Sequence, residues 1–396
     1  MYNNFTTTNS TYGNFYRQQS EKIEEEKEKN VKKAVRQRNN ITFSNEDYKF
    51  RNKNVDLPAK DSSLVKNISS SLIGLRNLGN TCYINSCIQN LVHCIPFIKG
   101  FLEKSNKITQ NNKALMSNSF YELLLNLYES QQEESIDPSF FVNNFFSLHG
   151  QFNDFQQHDT QEFCRFFLQD LNYELNDIIS PSCYHEERTK GKSKKETFIC
   201  YQNDCLSKEY SIIQNLFIGY FSFEYICECG YKEYSFSQFL DLPIQMNEGN
   251  QDLYQMIKNN FYKKSYVDMG ENCNFCKRTS KKNEIMRIAS LPKILIISLQ
   301  RINPKNGTKN KNSIKYYENI DFKEIIDSDL KNSNSTKYNL FAVTNHIGEI
   351  NSGHYFSQIK IGNFWYCFED SKVFKIGTQI NMNNNEVYSL FYQRNE

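Results

Sequence analysis

The sequence predicts an α+β fold in which helices come first and strands follow. Apolar residues recur with helical spacing between residues 82 and 175, whereas short aromatic and β-branched runs begin at residue 293. Helical and strand regions that succeed one another in this way are typical of α+β proteins. The 396 residues include 31 Phe and 25 Tyr, and 39% of the chain is hydrophobic. A core large enough for one big domain is therefore available.

Charge and cysteine usage narrow the class of protein. The net charge of +2 gives no reason to expect nucleic acid or a membrane surface as a partner. The sequence has no run of 18 apolar residues, and its first 15 residues lack the apolar stretch of a signal peptide. We therefore expect a location in the cytoplasm, the nucleus or both. Thiols stay reduced there, so the 12 cysteines favour metal ligation or catalysis over disulfides.

The polar composition of residues 1–70 predicts a disordered or partly helical extension before a folded domain at 71–396. Acidic residues lead and basic ones follow in a charge run at 20–38, which suits a transient solvated helix. Stretches rich in Asn and Lys interrupt the domain, and we expect them to be surface loops; they span 104–113, 188–196, 303–313 and 331–336.

The first helix is predicted from residue 82, with one buried face and an end at Pro96. Its apolar positions are Ile84, Cys87, Ile88, Leu91, Val92 and Ile95. Thr81 is the expected N-cap, which would put Cys82 at the first helical position. Free N–H groups and the helix dipole favour a thiolate at that position. Cys82 is therefore either a nucleophile or one more buried core thiol.

The remaining elements follow in chain order. Helices are predicted at 119–130 and at 159–175, the second with Asp159 as its cap and Glu162 three residues later, close to a capping box. A continuous apolar run at 293–301 has the length of a strand, and shorter strands are predicted at 338–346, 354–361 and 363–370.

A cysteine nucleophile needs a base and a third group that orients the base. Of the six histidines, His354 follows Gly353, which permits a close backbone approach just before a strand. A hairpin would bring Glu369 or Asp370 beside His354 and fix its tautomer. Spacing alone is a weak signal, because any chain of this length contains some Cys, His and acid.

Two cysteine pairs indicate a structural zinc site that joins two extended ribbons. Cys273 and Cys276 have the usual spacing of a metal knuckle, whereas Cys227 and Cys229 are separated by a single residue. This tighter spacing makes Cys227 the weaker expected ligand. Ordinary free thiols are the alternative.

Several segments resemble the ubiquitin-specific protease family, in the family's order. They are GLRNLGNTCYINSCIQNLVHCI at 74–95, QHDTQEFCRFFLQDL at 157–171, stretches at 219–244 and 291–302, and YNLFAVTNHIGEINSGHYFSQIKIGNFWYCFEDSKV at 338–373. The resemblance covers about residues 71–396. It implies a papain-like cysteine protease fold with a helical thumb, a β-rich palm and zinc-ribbon fingers.

The resemblance also implies an activity and the residues that carry it. The expected function is a thiol-dependent deubiquitinase that cleaves the bond after ubiquitin's C-terminal glycine, with ubiquitin and ubiquitinated proteins as partners and no catalytic cofactor. Cys82 matches the nucleophile and His354 the general base and acid. Asn77 matches an asparagine whose amide stabilises the oxyanion, a role worth several kcal/mol for a preorganised donor.

Further positions are expected to contact the substrate. Asp159 and Glu162 match acidic residues that line the channel for ubiquitin's C-terminal tail, where they can accept bonds from arginines. Gly353 and Tyr355, on either side of His354, are also assigned to substrate binding. His346 recurs in the family segment and is expected to shape the active-site loop.

One position departs from the family. Where the family has Asp or Asn, this chain has Glu369, followed by Asp370, and either could orient His354. A weakly active or inactive ubiquitin-binding scaffold of the same fold is therefore the second hypothesis. A zinc-ribbon nucleic-acid module is the third, and the lack of a dense basic stripe at 227–276 argues against it.

Overall fold

A computed structural model describes residues 62–111, 114–130, 132–154, 156–178, 192–246, 249, 251–261, 264–267, 273–278, 282–302, 307–349 and 352–395. The charge run at 20–38 and residues 1–61 of the predicted extension lie outside the described residues. The part that is described begins with a helix, Ser62–Ser69, which buries Leu64 and Ile68 in the core ahead of residue 71.

Most of the helices come before the main sheet in the chain. The described helices are α1 (Ser62–Ser69), α2 (Cys82–Val92), α3 (Ile95–Leu102), α4 (Ser105–Gln110), α5 (Leu115–Glu129), α6 (Ser139–Leu148), α7 (Thr160–Glu174), α8 (Lys194–Lys208), α9 (Ile212–Phe217) and α10 (Leu253–Phe261). Helices α2, α5 and α7 confirm the predicted segments. Among the described residues, no helix combines the length and apolar character needed to cross a membrane.

Helix α2 is buried on every side, which corrects the expectation of a single buried face. All eleven of its residues are buried, because other helices, which form the thumb, pack on one side of α2 and the main sheet packs on its other side. Two of its side-chain amides donate hydrogen bonds: Asn90 Nδ2 to Thr344 Oγ1 at 2.7 Å, and Gln89 Nε2 to the Ile73 carbonyl at 2.9 Å. Donors satisfied in this way cost little when buried.

Three boundaries differ from the sequence predictions. Pro96 occupies the first turn of α3, a position where a missing N–H costs nothing, so α2 already ends at Val92. Helix α4 lies inside the predicted loop at 104–113, and α8 begins inside the predicted loop at 188–196. A full capping box at Ser193 and Glu196 starts α8.

The described strands are β1 (Gly74–Leu75), β2 (Ser135–Ile136), β3 (Gly219–Ile226), β4 (Lys232–Phe239), β5 (Leu242–Gln245), β6 (Gln251–Asp252), β7 (Lys264–Val267), β8 (Lys282–Ser290), β9 (Ile294–Gln300), β10 (Ile314–Lys315), β11 (Asn319–Asp321), β12 (Lys337–Ile347), β13 (His354–Ile361), β14 (Phe364–Glu369), β15 (Lys372–Gly377), β16 (Asn383–Asn384) and β17 (Val387–Arg394). All four predicted strands are confirmed, as β9, β12, β13 and β14.

The main sheet has eight strands in the order β15-β14-β13-β12-β17-β9-β5, with β11 paired to β12. Adjacent strands in this sheet are antiparallel, except that β5 and β9 are parallel. One face packs on the thumb helices, with Ile296, Ile359 and Phe391 in the shared core. The other face buries Trp365 and Leu390 against the second core. This mixed helix and sheet architecture confirms the α+β prediction.

A second sheet projects from the main one. It is antiparallel, with the order β4-β3-β8-β7, and residues 227–231 join β3 to β4 at its end. A short three-stranded sheet, β16-β10-β6, lies beside α10. The four cysteines of the two predicted metal-binding pairs lie at the far end of the second sheet. This sheet corresponds to the expected zinc-ribbon fingers, and the cysteines lie at its tip.

Candidate active site

Cys82 is the first residue of α2, and its side chain is 2% exposed. Thr81 holds the N-cap position, but its hydroxyl makes no cap hydrogen bond to the helix. That hydroxyl instead accepts from the Leu78 N–H at 2.9 Å, while the Thr81 N–H donates to Asn77 Oδ1 at 3.2 Å. The loop before the helix is therefore ordered by its own side chains, and the expected side-chain cap at Thr81 was wrong.

The pKa of the Cys82 thiol is raised above its ordinary value, which corrects the expectation of a resting thiolate. Burial is the main cause, because it removes water from the charged form. The N–H groups of Tyr355, Tyr83 and Cys82 lower the pKa, whereas the charge of Asp370 raises it. The helix terminus thus acts in the expected direction, but desolvation outweighs it. A neighbouring base must take the proton as the sulfur reacts.

His354 begins β13, the strand that packs on α2. Ser357 Oγ, three residues further on, donates to the Ser86 carbonyl at 2.8 Å and fixes the strand against the helix. The backbone of Tyr355 is close enough to Cys82 to lower the pKa of its thiol. The residue adjoining His354 therefore lies near the thiol, across the junction of the two lobes.

The two carboxylates left open by the sequence take different positions. Glu369 Oε1 lies 3.5 Å from His354 Nε2, and the Glu369 side chain is 43% exposed. That nitrogen is buried and has no hydrogen-bond partner, so the pair is close without being bonded. Asp370 instead accepts from Asn77 Nδ2 and from Asn85 Nδ2, each at 2.8 Å. Glu369 faces the imidazole, and Asp370 faces the asparagines.

Asn77 has one amide hydrogen left for a ligand. Its Nδ2 carries two N–H donors, and Asp370 takes one of them. Its Oδ1 accepts from the N–H groups of Gly79 and Thr81, at 2.9 and 3.2 Å. Because both ends of the amide are held, its orientation cannot flip without breaking several bonds. A fixed and partly free donor is what an oxyanion requires.

Gly353 lies where both lobes meet the turn before His354. Gln157, from the thumb, receives the Gly353 N–H on Oε1 at 2.9 Å and donates Nε2 to the Gly353 carbonyl. On the other side, a Cβ at this position would lie 2.1 Å from His346 Nε2, so no side chain fits. The sequence predicted that another group comes close to the backbone of Gly353. That group is the His346 ring of the protein itself.

Asp159 caps α7, as predicted. Its Oδ1 accepts from the Gln161 N–H at 2.7 Å and from the Glu162 N–H at 3.4 Å. Its Oδ2 accepts from the Tyr388 hydroxyl at 2.5 Å. The Tyr355 ring is buried and packs edge-on against Tyr388, with 5.4 Å between ring centroids. Glu162 is exposed one helical turn further along.

An open pocket of about 460 Å³ exposes His354 and its neighbours to solvent. Its walls include Asn77, His354, Glu369 and Asp370, together with the cationic side chains of Arg76 and Lys372 and the residue between Asp370 and Lys372. The histidine, both carboxylates and the amide donor therefore share one solvent-accessible cavity.

The four predicted metal ligands converge. Their sulfurs all lie within 4.8 Å of one another, with Cys227 Sγ 3.9 Å from Cys276 Sγ and Cys229 Sγ 3.8 Å from Cys273 Sγ. Sulfurs at about 2.3 Å from a tetrahedral zinc ion would be about 3.8 Å apart, so the set fits such an ion. Cys227 is no outlier, which corrects its expected weakness: Gly230, with φ of +86°, lets the short turn close. The cluster could therefore hold a metal ion.

Sequence reasoning missed two supporting side chains. Gln157 was quoted within a segment but given no role, and Asn85 was one position of an amphipathic pattern. The position of Asn85, between two apolar positions of the helix and three residues after Cys82, was the available signal for the second. Their partners, Gly353 and Asp370, are 196 and 285 residues away, so no local pattern could name them.

This arrangement defines a class of protein. A buried cysteine at a helix start on one lobe, with a histidine and a carboxylate on the sheet that packs against that helix, is the architecture of papain-like cysteine proteases.

The family follows from comparison of the sequence. A model of the family described as "Ubiquitin carboxyl-terminal hydrolase" matches residues 73–392, so the chain belongs to that family. Ubiquitin carboxyl-terminal hydrolase Usp2 of Drosophila melanogaster is 28% identical over 337 residues, which cover 82% of this chain and 35% of that protein. Ubiquitin carboxyl-terminal hydrolase 2 of Bos taurus is 28% identical over 355 residues, covering 85% and 57%. The chain thus spans about a third to just over half of these relatives.

Solved structures share the fold. The SAGA DUB module of Ubp8, Sgf11, Sus1 and Sgf73 bound to monoubiquitin matches with a TM-score of 0.67 at 21% identity, covering 86% of this chain and 73% of the matched chain. The same module bound to ubiquitin aldehyde matches with a TM-score of 0.65 at 21% identity, covering 83% and 71%. The predicted family and fold are confirmed.

Proposed function

We propose that the chain is a thiol-dependent deubiquitinase that hydrolyses the isopeptide or peptide bond after ubiquitin's C-terminal glycine. One observation carries the proposal: the helix that begins at Cys82 packs on the strand that begins at His354, and His354 lies 3.5 Å from Glu369. Family membership supports the substrate, and the matched Ubp8 structures hold ubiquitin or ubiquitin aldehyde. Its substrates would be ubiquitinated proteins of the cytoplasm or nucleus.

In acylation, Cys82 transfers its proton to His354 and attacks the substrate. The raised pKa of the thiol means that this transfer accompanies attack, so no stored thiolate is needed. The sulfur bonds to the carbonyl carbon of the terminal glycine, and the carbonyl electrons move onto oxygen. When that oxyanion collapses, the C–N bond breaks and His354 gives its proton to the departing amine. The product is a thioester on Cys82.

Deacylation repeats these steps with water. His354 removes a proton from water, the resulting hydroxide adds to the thioester, and the C–S bond breaks. The proton then returns to the sulfur, and ubiquitin leaves with a free carboxylate. The second amide hydrogen of Asn77 would stabilise the oxyanion in both halves, with Asp370 holding the amide in place. Asp370 is thus a positioning residue in this scheme.

Glu369 would orient the imidazole and stabilise its protonated form. A carboxylate that touches one imidazole nitrogen leaves the other free for the nucleophile. The present 3.5 Å separation would shorten to a hydrogen bond once His354 is charged, because a charged donor attracts the carboxylate more strongly. The extra methylene of Glu, relative to Asp, provides the reach.

The tail of ubiquitin would run past Asp159 and Glu162. A carboxylate offers about four acceptor sites, so Asp159 can cap α7, bind Tyr388 and still accept from an arginine. Glu162 adds an exposed carboxylate on the same end of α7. Gly353 and Tyr355 would border the tail's last residues through their backbone.

We also propose that the metal held by the four cysteines is zinc in a structural role. Thiolate ligands in a set of four are typical of closed zinc sites. Cys227 and Cys229 follow β3, whereas Cys273 and Cys276 precede β8, so zinc bound there would cross-link two neighbouring ribbons.

Ubiquitin carrying a C-terminal electrophile tests the proposed function. An active enzyme forms a covalent adduct with a mass increase of one ubiquitin, and Cys82→Ala abolishes it. Cys87→Ala is the matched control, because it removes another buried thiol of the same helix and should leave labelling intact. No labelling of the unaltered protein would refute the proposal.

The unpartnered Nε2 of His354 favours a second candidate, an inactive ubiquitin-binding scaffold. It predicts binding of unmodified ubiquitin, measured by calorimetry, without labelling by the electrophile and without hydrolysis. The same samples therefore decide between the two functions.

A further inference from the structure

Lys309 connects two loops beside the candidate active site. It follows β9, whereas His346 and Gly348 belong to the end of β12 and the turn that leads to His354. Lys309 Nζ donates to His346 Nδ1 at 2.6 Å, to the His346 carbonyl at 3.0 Å and to the Gly348 carbonyl at 2.9 Å. No motif in the sequence pointed to this residue.

The three contacts use all three hydrogens of the ammonium group. Lysine carries three donors and no acceptor, so the group is saturated here. Donation to Nδ1 requires that His346 be neutral and carry its own proton on Nε2. Consistent with this, burial and the charge of Lys309 lower the pKa of His346 to about 4. The amine therefore fixes both the position and the tautomer of the ring.

His346 in turn supports the turn before His354. His346 is 4% exposed, and its ring packs against the Tyr355 ring at an angle of 42°, with 4.3 Å between centroids. Its Nε2 edge lies against Gly353, where even a Cβ would not fit. Gln157 holds Gly353 from the opposite lobe through both backbone polar groups. A change in the ring position would therefore shift the residue before His354.

We propose that Lys309 is a positioning residue for His354, acting through His346 and Gly353; this rests on the deubiquitinase function proposed above. Lys309 touches neither the thiol nor the imidazole of His354, so its effect is on geometry. A displacement of about 1 Å at a reacting group can cost 10²-fold in rate. Loss of the tether should therefore appear in kcat, because the base is misplaced in every bound complex.

The surroundings of the amine contain charges of both signs. Arg301 and Lys311 disfavour its proton, whereas Glu349 and Glu386 favour it. Together with burial, these lower the pKa of Lys309 to about 8, which leaves most molecules charged at neutral pH. The tether is thus present under ordinary assay conditions.

Lys311 provides a matched control. It lies two residues further along the same loop and pairs with Glu349 on the neighbouring turn. The side chains of Lys311 and Glu349 are largely exposed, at 59% and 62%, so the contact contributes little. Replacement of either lysine by methionine removes one charge and all three hydrogen-bond donors of the ammonium group, while the length of the side chain is nearly unchanged.

The experiment compares Lys309→Met, Lys311→Met and Lys309→Arg in the full chain. Steady-state hydrolysis of ubiquitin with a C-terminal fluorophore gives kcat and KM, and a thermal melt follows folding. We expect K309M to lower kcat at least about tenfold with KM within about twofold. K311M should stay within about twofold in both, and K309R should recover part of kcat because it restores a charged donor.

Each outcome either supports or refutes the role of Lys309. If K309M and K311M have the same kcat, or if K309M changes only KM, the tether does not position the base. If K309M fails to fold, Lys309→Gln keeps two donors without the charge and must show the same selective fall in kcat. If the unaltered protein neither hydrolyses this substrate nor reacts with the ubiquitin electrophile, the proposed function itself has failed.

Discussion

Replacement of Gly353 by alanine tests the active-site geometry most directly. The added Cβ would lie 2.1 Å from His346 Nε2, 2.5 Å from His346 Cε1 and 2.7 Å from the Glu349 carbonyl oxygen. Ordinary contacts of a Cβ begin near 3.4 Å, so the turn and the ring must separate by about 1.3 Å. Neither side yields easily, because Gln157 holds Gly353 and Lys309 holds His346.

The displacement has a calculable effect on rate. His354 adjoins Gly353, so most of the 1.3 Å shift would reach the imidazole. Misplacement of a catalytic group by about 1 Å lowers rates by about 10²-fold. We therefore expect Gly353→Ala to lower kcat/KM about 10²-fold, while overpacking destabilises the fold by about 1–3 kcal/mol. That loss of stability would leave the protein folded at 25 °C.

Hydrolysis of ubiquitin with a C-terminal fluorophore measures kcat/KM, and a thermal melt measures stability. Gly150→Ala is the control, since a Cβ there meets no atom within 4 Å. It should retain full activity. If Gly353→Ala hydrolyses the substrate within threefold of the unaltered protein, the contact with His346 does not constrain His354, and the reasoning fails.

Four further predictions concern the same groups and the cysteine cluster. Asp370→Asn keeps a residue that tolerates the positive φ of 50° but presents an amide to one of its two asparagine partners, so kcat should fall about 10²-fold. Glu369→Ala should cost only about tenfold, because that carboxylate is half-exposed and 3.5 Å from the imidazole; steady-state rates in which Glu369→Ala is the more damaging would reverse these roles. Since burial raises the pKa of Cys82, its alkylation by iodoacetamide should be slow at pH 7 and rise about tenfold per pH unit through pH 9, and a plateau below pH 8 would contradict a protonated resting thiol. A chelator, or Cys229→Ser, should lower the Tm by about 5–10 °C while Cys200→Ser leaves it unchanged, and equal Tm values with and without chelator would exclude a structural metal.

Local patterns predicted the order of helices before strands, three of the ten described helices and four of the described strands. The helix from Cys82 and the hairpin from His354 to Glu369 were predicted from periodicity, because hydrophobic spacing reports directly on which face of an element is buried. Helices α4 and α8 were missed, since their Asn- and Lys-rich sequences resemble loops and their stability depends on contacts with the rest of the domain.

The candidate site was predicted as a set of residues and not as a geometry. The sequence named Cys82, His354 and two possible carboxylates, but it could not divide the work between Glu369 and Asp370. That division depends on the positive φ of Asp370, which turns its carboxylate toward Asn77 and Asn85. A difference of one position along a strand end reverses the direction of a side chain, so only coordinates could decide it.

The amino-acid sequence by itself determined the α+β class, which family the chain belongs to and which side chains can supply a nucleophile, a base and metal ligands. Only the tertiary structure decided the protonation of Cys82 and the tether from Lys309 to the turn before His354. The physical reason is that burial and hydrogen bonding join groups far apart in the chain: Lys309 and His346 are separated by 37 residues, and Gln157 and Gly353 by 196. Such pairings are set by how two lobes pack, which no local pattern of residues records.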